Sequence, residues 1–151
     1  MRVPGSRRVN YRANRRTIVA AASAAAAWLI APRITLGMSG QDAHFVAEAE
    51  RMRQQAIASG DQPYGAVLVR AGEIVGYGPS RVVVDGSADA HAERVALWDA
   101  QRRTGNRQLD GTIIYSTSPP CALCQRALAQ AGVARMRFGP EASDGGPPKE
   151  G

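Results

Sequence analysis

Apolar positions along residues 41–139 switch between two spacings. Phe45, Ala49, Met52, Ala56 and Ile57 recur at intervals of three and four, while Glu48, Glu50, Arg51 and Arg53 fall elsewhere. This predicts an amphipathic helix over 41–59, capped by Ser39 or Asp42 and stopped by Ser59-Gly60-Asp61. Residues 65–70 form a short apolar run, Ala71-Gly72-Glu73 turns, and residues 74–77 return, which reads as a hairpin. Residues 78–90 carry Gly, Pro, Ser and Asp around a brief Val82-Val83-Val84 run and read mostly as loop. A second helix is expected over 91–104, through Val95, Leu97 and Trp98. The β-branched run 112–116 reads as a strand ended by Pro119-Pro120. A helix from Cys121 to about Ala131 and an alternating strand over 133–138 follow, and no internal repeat is visible.

Strands separated by helical crossovers imply an α/β fold with helices covering the sheet. The length, 151 residues with 44% hydrophobic, suits one core. Two Cys exclude a disulfide-stapled mini-protein, and the lack of an apolar run of eighteen residues excludes a multi-pass membrane protein. Gly145-Gly146-Pro147-Pro148 marks residues 141–151 as an expected disordered tail.

A net charge of +6 suggests a polyanion partner, but the distribution changes that picture. Residues 1–33 hold seven Arg and no acid, whereas residues 34–151 hold 12 basic and 13 acidic residues. The near-neutral body lacks the basic footprint of a phosphate-backbone binder, so a small-molecule partner and no nucleic acid is the expectation. The basicity belongs to a leader. Arg15-Arg16 directly precedes Thr17-Ile18-Val19, and 16 uncharged residues separate Arg16 from Arg33. Residues 1–39 therefore read as an export signal of the twin-arginine type, engaging the export machinery and delivering the protein to the periplasm. A retained membrane anchor and an ordinary buried helix are the alternatives; without a signal the protein would stay cytoplasmic.

The candidate chemistry lies at two helix starts. His91-Ala92-Glu93 opens the second helix, and Pro120-Cys121-Ala122-Leu123-Cys124 opens the third. Zinc takes thiolate and imidazole ligands tetrahedrally, and two Cys three apart on a helical turn can face one ion. A helix N-terminus favours the thiolate form. Three protein ligands leave a position for water, whose pKa falls to roughly 7 on zinc. Glu93, two residues after His91, can stand beside that position and move protons.

His-x-Glu followed by Pro-Cys-x-x-Cys resembles the zinc-dependent cytidine/deoxycytidylate deaminase superfamily. Within it, the branch of tRNA adenosine, guanine and cytosine deaminases looks most similar. The resemblance covers about residues 41–139, including Pro63-Tyr64-Gly65-Ala66-Val67 and residues 91–97. It implies a three-layer cytidine deaminase-like domain over 40–140 with a mixed central sheet covered by helices, Zn2+ held by His91, Cys121 and Cys124, and Glu93 as proton shuttle. The expected reaction is hydrolytic deamination of a nucleobase or nucleoside, zinc hydroxide attacking the ring carbon that bears the amine. Ala92 N–H, Ser80 and Tyr64 are the expected substrate contacts, although Tyr64 and Trp98 also read as plain core or pocket wall. A homodimer is a further arrangement the resemblance allows. The sequence departs from the family where Ser80 replaces the usual Asn and Pro119 the usual Glu. The chain also ends soon after the fourth strand, so further C-terminal elements are expected to be absent or minimal.

Three alternatives remain open at this point. The protein could be a tRNA-specific adenosine deaminase, or a zinc-binding module of the same fold without activity. It could also be a thioredoxin-like thiol–disulfide exchanger built on Cys121-x-x-Cys124, which would leave His91 and Glu93 without a role.

Overall fold

Ser39 sits in extended backbone and its Oγ accepts the Asp42 N–H at 3.0 Å, so the first helix, α1 (Gly40–Ala58), begins one residue later. The computed structural model describes residues 38–151. The proposed export signal lies outside the described residues except for its last two positions. After α1 come β1 (Gly65–Arg70), β2 (Glu73–Pro79), α2 (Ala92–Thr104), β3 (Ile113–Ser116), α3 (Ala122–Gln130), β4 (Arg135–Phe138) and β5 (Ser143–Gly146). No described helix is long and apolar enough to cross a membrane.

The strands form one mixed sheet in the order β2-β1-β3-β4-β5, parallel only between β3 and β4. The β1–β2 hairpin turns through Ala71 (φ 50°) and Gly72 (φ 83°), the doubly left-handed conformation that matches strand twist. Alternation along β1 divides the core. Ala66 and Leu68 pack with α2 and α3 residues such as Ala96, Leu97 and Leu128, whereas Val67 and Val69 pack with Phe45, Ala49 and Met52 of α1. The expected three-layer α/β arrangement is the one found.

Two pairings set α1 and α2 against the sheet. Gly76 and Gly78 of β2 lie so close to α2 that a Cβ would fall on backbone atoms of Ala92, Ala96 and Ala100. The helix that begins at the His91 motif is thereby seated directly on the strand. On the other face, Tyr115 OH donates to Asp42 Oδ1 at 2.6 Å. That bond, with help from Ser39 and Arg137, holds the Asp42 carboxyl below the usual range against the opposing effect of burial. At the outer edge, Tyr77 N–H of β2 donates to Asp99 Oδ2 at 3.0 Å, and Arg103 and Arg51 flank the Tyr77 ring at 5.1 and 5.7 Å.

Some elements differ from the sequence reading. Ile57 is exposed: it lies about 100° round the helix from Ala56. Trp98 is also exposed, with Arg94 over its ring, rather than in the core. Residues 143–146, expected to be disordered, form β5 against β4, pairing Arg137 with Asp144 and Phe138 with Ser143. Ala142 is buried in the α1-side core, and Gly145 accommodates the Phe138 ring, so tertiary contacts override a composition that reads locally as disorder.

Tyr115→Phe is expected to cost about 1–2 kcal/mol at neutral pH, because a charged acceptor loses its donor. Asp42 has a lowered folded pKa, so its contribution is present above the unfolded value and is lost as pH falls through the folded one. The gap between variant and parent should therefore close in strong acid, which chemical denaturation at both pH values checks. Gly78→Val should lower stability by at least about 3 kcal/mol, since the contact is with backbone that cannot rotate away. A denaturation midpoint within error of the parent would contradict that packing.

Candidate metal centre

The strand directions bring the two motifs together. β2, β3 and β4 run the same way, so the connections after β2 and β3 leave from one edge of the sheet. The first connection ends in His91, N-cap of α2, and the second in Cys121, N-cap of α3. Cys121 Sγ accepts the Cys124 N–H at 3.4 Å, which folds the Cys-x-x-Cys turn onto the helix start.

His91 Nδ1 lies 3.6 Å from Cys121 Sγ and 3.5 Å from Cys124 Sγ, and the three donor atoms all fall within 4.8 Å of one another. Zinc–sulfur and zinc–nitrogen bonds at tetrahedral angles would set nitrogen and sulfur about 3.6 Å apart. The observed separations match. Glu93 Oε2 stands 3.7 Å from Cys124 Sγ, and both side chains are buried while Cys121 is exposed. Burial pushes the Glu93 carboxyl up, against lowering by its own N–H, by His91 and by Cys124. Burial also pushes the Cys124 thiol up, and the Glu93 charge and Cys121 add to it. Two acidic groups side by side in a dry site each oppose the other's ionisation, and a divalent cation reverses that balance. Donor type, spacing and charge thus fit zinc, with three ligands leaving one tetrahedral position.

The expected substrate contacts are placed differently from one another. Ala92 is the first residue of α2, so its N–H has no acceptor within the helix. Ser80 is buried, with its Oγ donating to Asp61 Oδ1 at 2.8 Å and its N–H donating to the Tyr64 carbonyl at 3.0 Å. Tyr64 is exposed and lines a cleft of about 610 Å³ between α1 and the ends of β3 and β4, with Pro63, Ser118 and Phe138. His91, Glu93 and the two Cys do not line that cleft. The structure therefore gathers His91, Glu93, Cys121 and Cys124, with Ala92 between the first two, and leaves Ser80 and Tyr64 in other contacts.

One residue escaped the sequence reading. Asp61 looked like part of a helix stop, yet its buried carboxylate accepts four hydrogen bonds, each 2.8 Å long. They come from Gln62 N–H, Ser80 Oγ, Val83 N–H and Val84 N–H. An Asp after Ser-Gly signals local backbone capping; its partners some twenty residues away carry no local signal.

The family described as cytidine and deoxycytidylate deaminase zinc-binding region matches residues 39–140. The tRNA-specific adenosine deaminase of Buchnera aphidicola is 33% identical over 106 residues, covering 70% of this chain and 70% of that protein. The protein of the same name from Aquifex aeolicus is 33% identical over 95 residues, 63% of each chain. Among solved structures, the guanine deaminase from Bacillus subtilis has a TM-score of 0.60 at 30% identity, covering 63% of this chain and 61% of that one. A structure from studies of A-to-I editing by tRNA deaminases at the wobble position has a TM-score of 0.61 at 29% identity, covering 63% of this chain and 73% of that one.

Purified protein should carry about one zinc per chain, the capacity of a single His–Cys–Cys set. His91→Ala and Cys121→Ser should each lose most of it by elemental analysis. Full zinc content in both variants would unseat this cluster as the metal centre.

Proposed function

The chain belongs to the cytidine and deoxycytidylate deaminase zinc-binding family, and from that premise we propose that it is a zinc-dependent hydrolytic deaminase of a nucleobase or nucleoside. The observation that carries this reading is the buried Glu93 carboxylate beside the His91–Cys121–Cys124 cluster. His91, Cys121 and Cys124 would hold the ion, which when bound polarises a water and makes it acidic enough to react near neutral pH. Glu93 takes one proton of the attacking water at its carboxylate oxygen and passes it to a ring nitrogen, then takes the second proton of that same oxygen and passes it to the departing amine, so that ammonia leaves. Burial removes the competing solvent and makes that carboxylate a stronger base than an exposed one. Ala92 N–H, free at the helix start, orients the base. Ser80 is held by Asp61, so it shapes the wall through the loop's position, and Tyr64 offers an exposed aromatic face farther out.

A second reading, a tRNA-specific adenosine deaminase, is favoured by the relatives that carry that name. The near-neutral charge of residues 34–151 and the acid-free, Arg-rich residues 1–33, read as an export leader, favour a small free substrate instead. An exported protein would not meet tRNA, so cell fractionation bears on the choice: full-length protein found solely in the cytosol would support the tRNA reading. Family membership sets aside the thioredoxin-like alternative.

Ammonia release should be measured from cytosine, cytidine, adenine, adenosine, guanine and a tRNA anticodon stem-loop. Turnover of a free base or nucleoside is the expected result. Activity confined to the RNA would transfer the assignment to the second reading, and zinc-loaded protein inert on all six would be a binding module. Glu93→Ala should keep its zinc and lose about 10²- to 10⁴-fold in ammonia release. Turnover retained in that variant would remove Glu93 from the chemistry.

A further inference from the structure

We infer that Asp61 is a positioning residue for the metal centre, fixing the loop that delivers His91. The inference rests on the reading of His91 as a zinc ligand.

β2 ends at Pro79, and His91 follows only after residues 80–90, which contain no strand or helix. A connection of that length would spread its last residue over many positions if nothing held it. A metal ligand tolerates little such spread. Asp61 supplies the constraint at the loop's first half. Its Oδ1 accepts the Ser80 hydroxyl, and its Oδ2 accepts both Val83 and Val84 N–H groups. The loop's second half is tied to the first by Arg81 N–H to the Ala90 carbonyl at 2.9 Å and by Ser87 N–H to the Val82 carbonyl at 3.1 Å. Ala90 is buried and immediately precedes His91.

Asp61 is itself held: its N–H donates to the Ala56 carbonyl at the end of α1, at 2.9 Å, and Gln62 N–H closes on Oδ1. A continuous path of hydrogen bonds thus runs from α1, through one carboxylate, to the residue before His91. All four partners of that carboxylate are donors, so the position calls for a group that only accepts. An Asn there would turn its NH2 group towards two of the four donors, whichever way the amide is placed, and keep the other two. An Ala would keep none. The buried Ser80 hydroxyl is directed to this carboxylate, so Ser80 and Asp61 form one unit.

The test uses the full chain as parent, Asp61→Ala, Asp61→Asn and His91→Ala. Zinc affinity is read by chelator competition and ligand geometry by the d–d bands of the cobalt-substituted proteins, at a temperature where circular dichroism shows each to be folded. Asp61→Ala is expected to weaken zinc binding about 10- to 100-fold and to alter the cobalt bands, with Asp61→Asn between it and the parent. A residue serving only overall stability would lower the melting temperature and leave both readouts of the folded protein unchanged. If Asp61→Ala binds zinc within about twofold of the parent with the same cobalt bands while His91→Ala loses binding, the inference is overturned and the metal centre stands. If His91→Ala also keeps the parent's affinity, both fall. Should Asp61→Ala fail to fold, Asp61→Asn decides alone: unchanged affinity and bands overturn the inference, and weakened binding with altered bands supports it.

Discussion

Charge compensation is the constraint on which this protein turns. Glu93 and Cys124 lie 3.7 Å apart in a buried site, and neither group can ionise there cheaply without positive charge nearby. The fold provides some of it from backbone. α2 and α3 begin at the site, and the unpaired N–H groups at a helix start carry partial positive charge. A divalent ion completes the balance, and His91 contributes a ligand without adding a negative charge. Removing the carboxylate would simplify the electrostatics and forfeit the only described group beside the cluster able to carry a proton.

Much of this arrangement was legible in the chain because its signals are local. His91-Ala92-Glu93 and Cys121-x-x-Cys124 each sit within one helical turn, and spacing alone limits where their side chains can go. The element order followed from periodicity for the same reason. What escaped depends on distant partners. Gly145 and Ala142 look like tail residues until Phe138 and the α1-side core are beside them. Asp61 looks like a helix stop until residues 80–84 close on it. Tyr64 follows the same pattern: its motif is recognisable, but the cleft it lines is completed by residues 115–118 and 137–140, far from it in sequence.

The two faces of the sheet divide the labour. On one, Gly76 and Gly78 let α2 settle against β2, which leaves the helix little room to shift and so keeps His91 and Glu93 in a constant relation to the strand. On the other, α1 is held through Asp42 and Tyr115, and its far end leads to Asp61. Rigidity from the first face reaches His91 through the helix it caps, and from the second through the loop before it. The cysteine pair needs neither route, because Cys121 caps the helix that also contains Cys124.

The exposed edge of β2 carries a consequence of its own. An unpaired strand edge is a template for another chain, and growth by strand addition needs its free amides. At Tyr77 that amide is already taken by the Asp99 carboxylate, and the Arg103 and Arg51 guanidinium groups lie over the ring. An incoming strand would have to displace a charged acceptor and two guanidinium groups midway along its path. The helix that begins at His91 thereby competes with any added strand for this amide at the margin of the sheet.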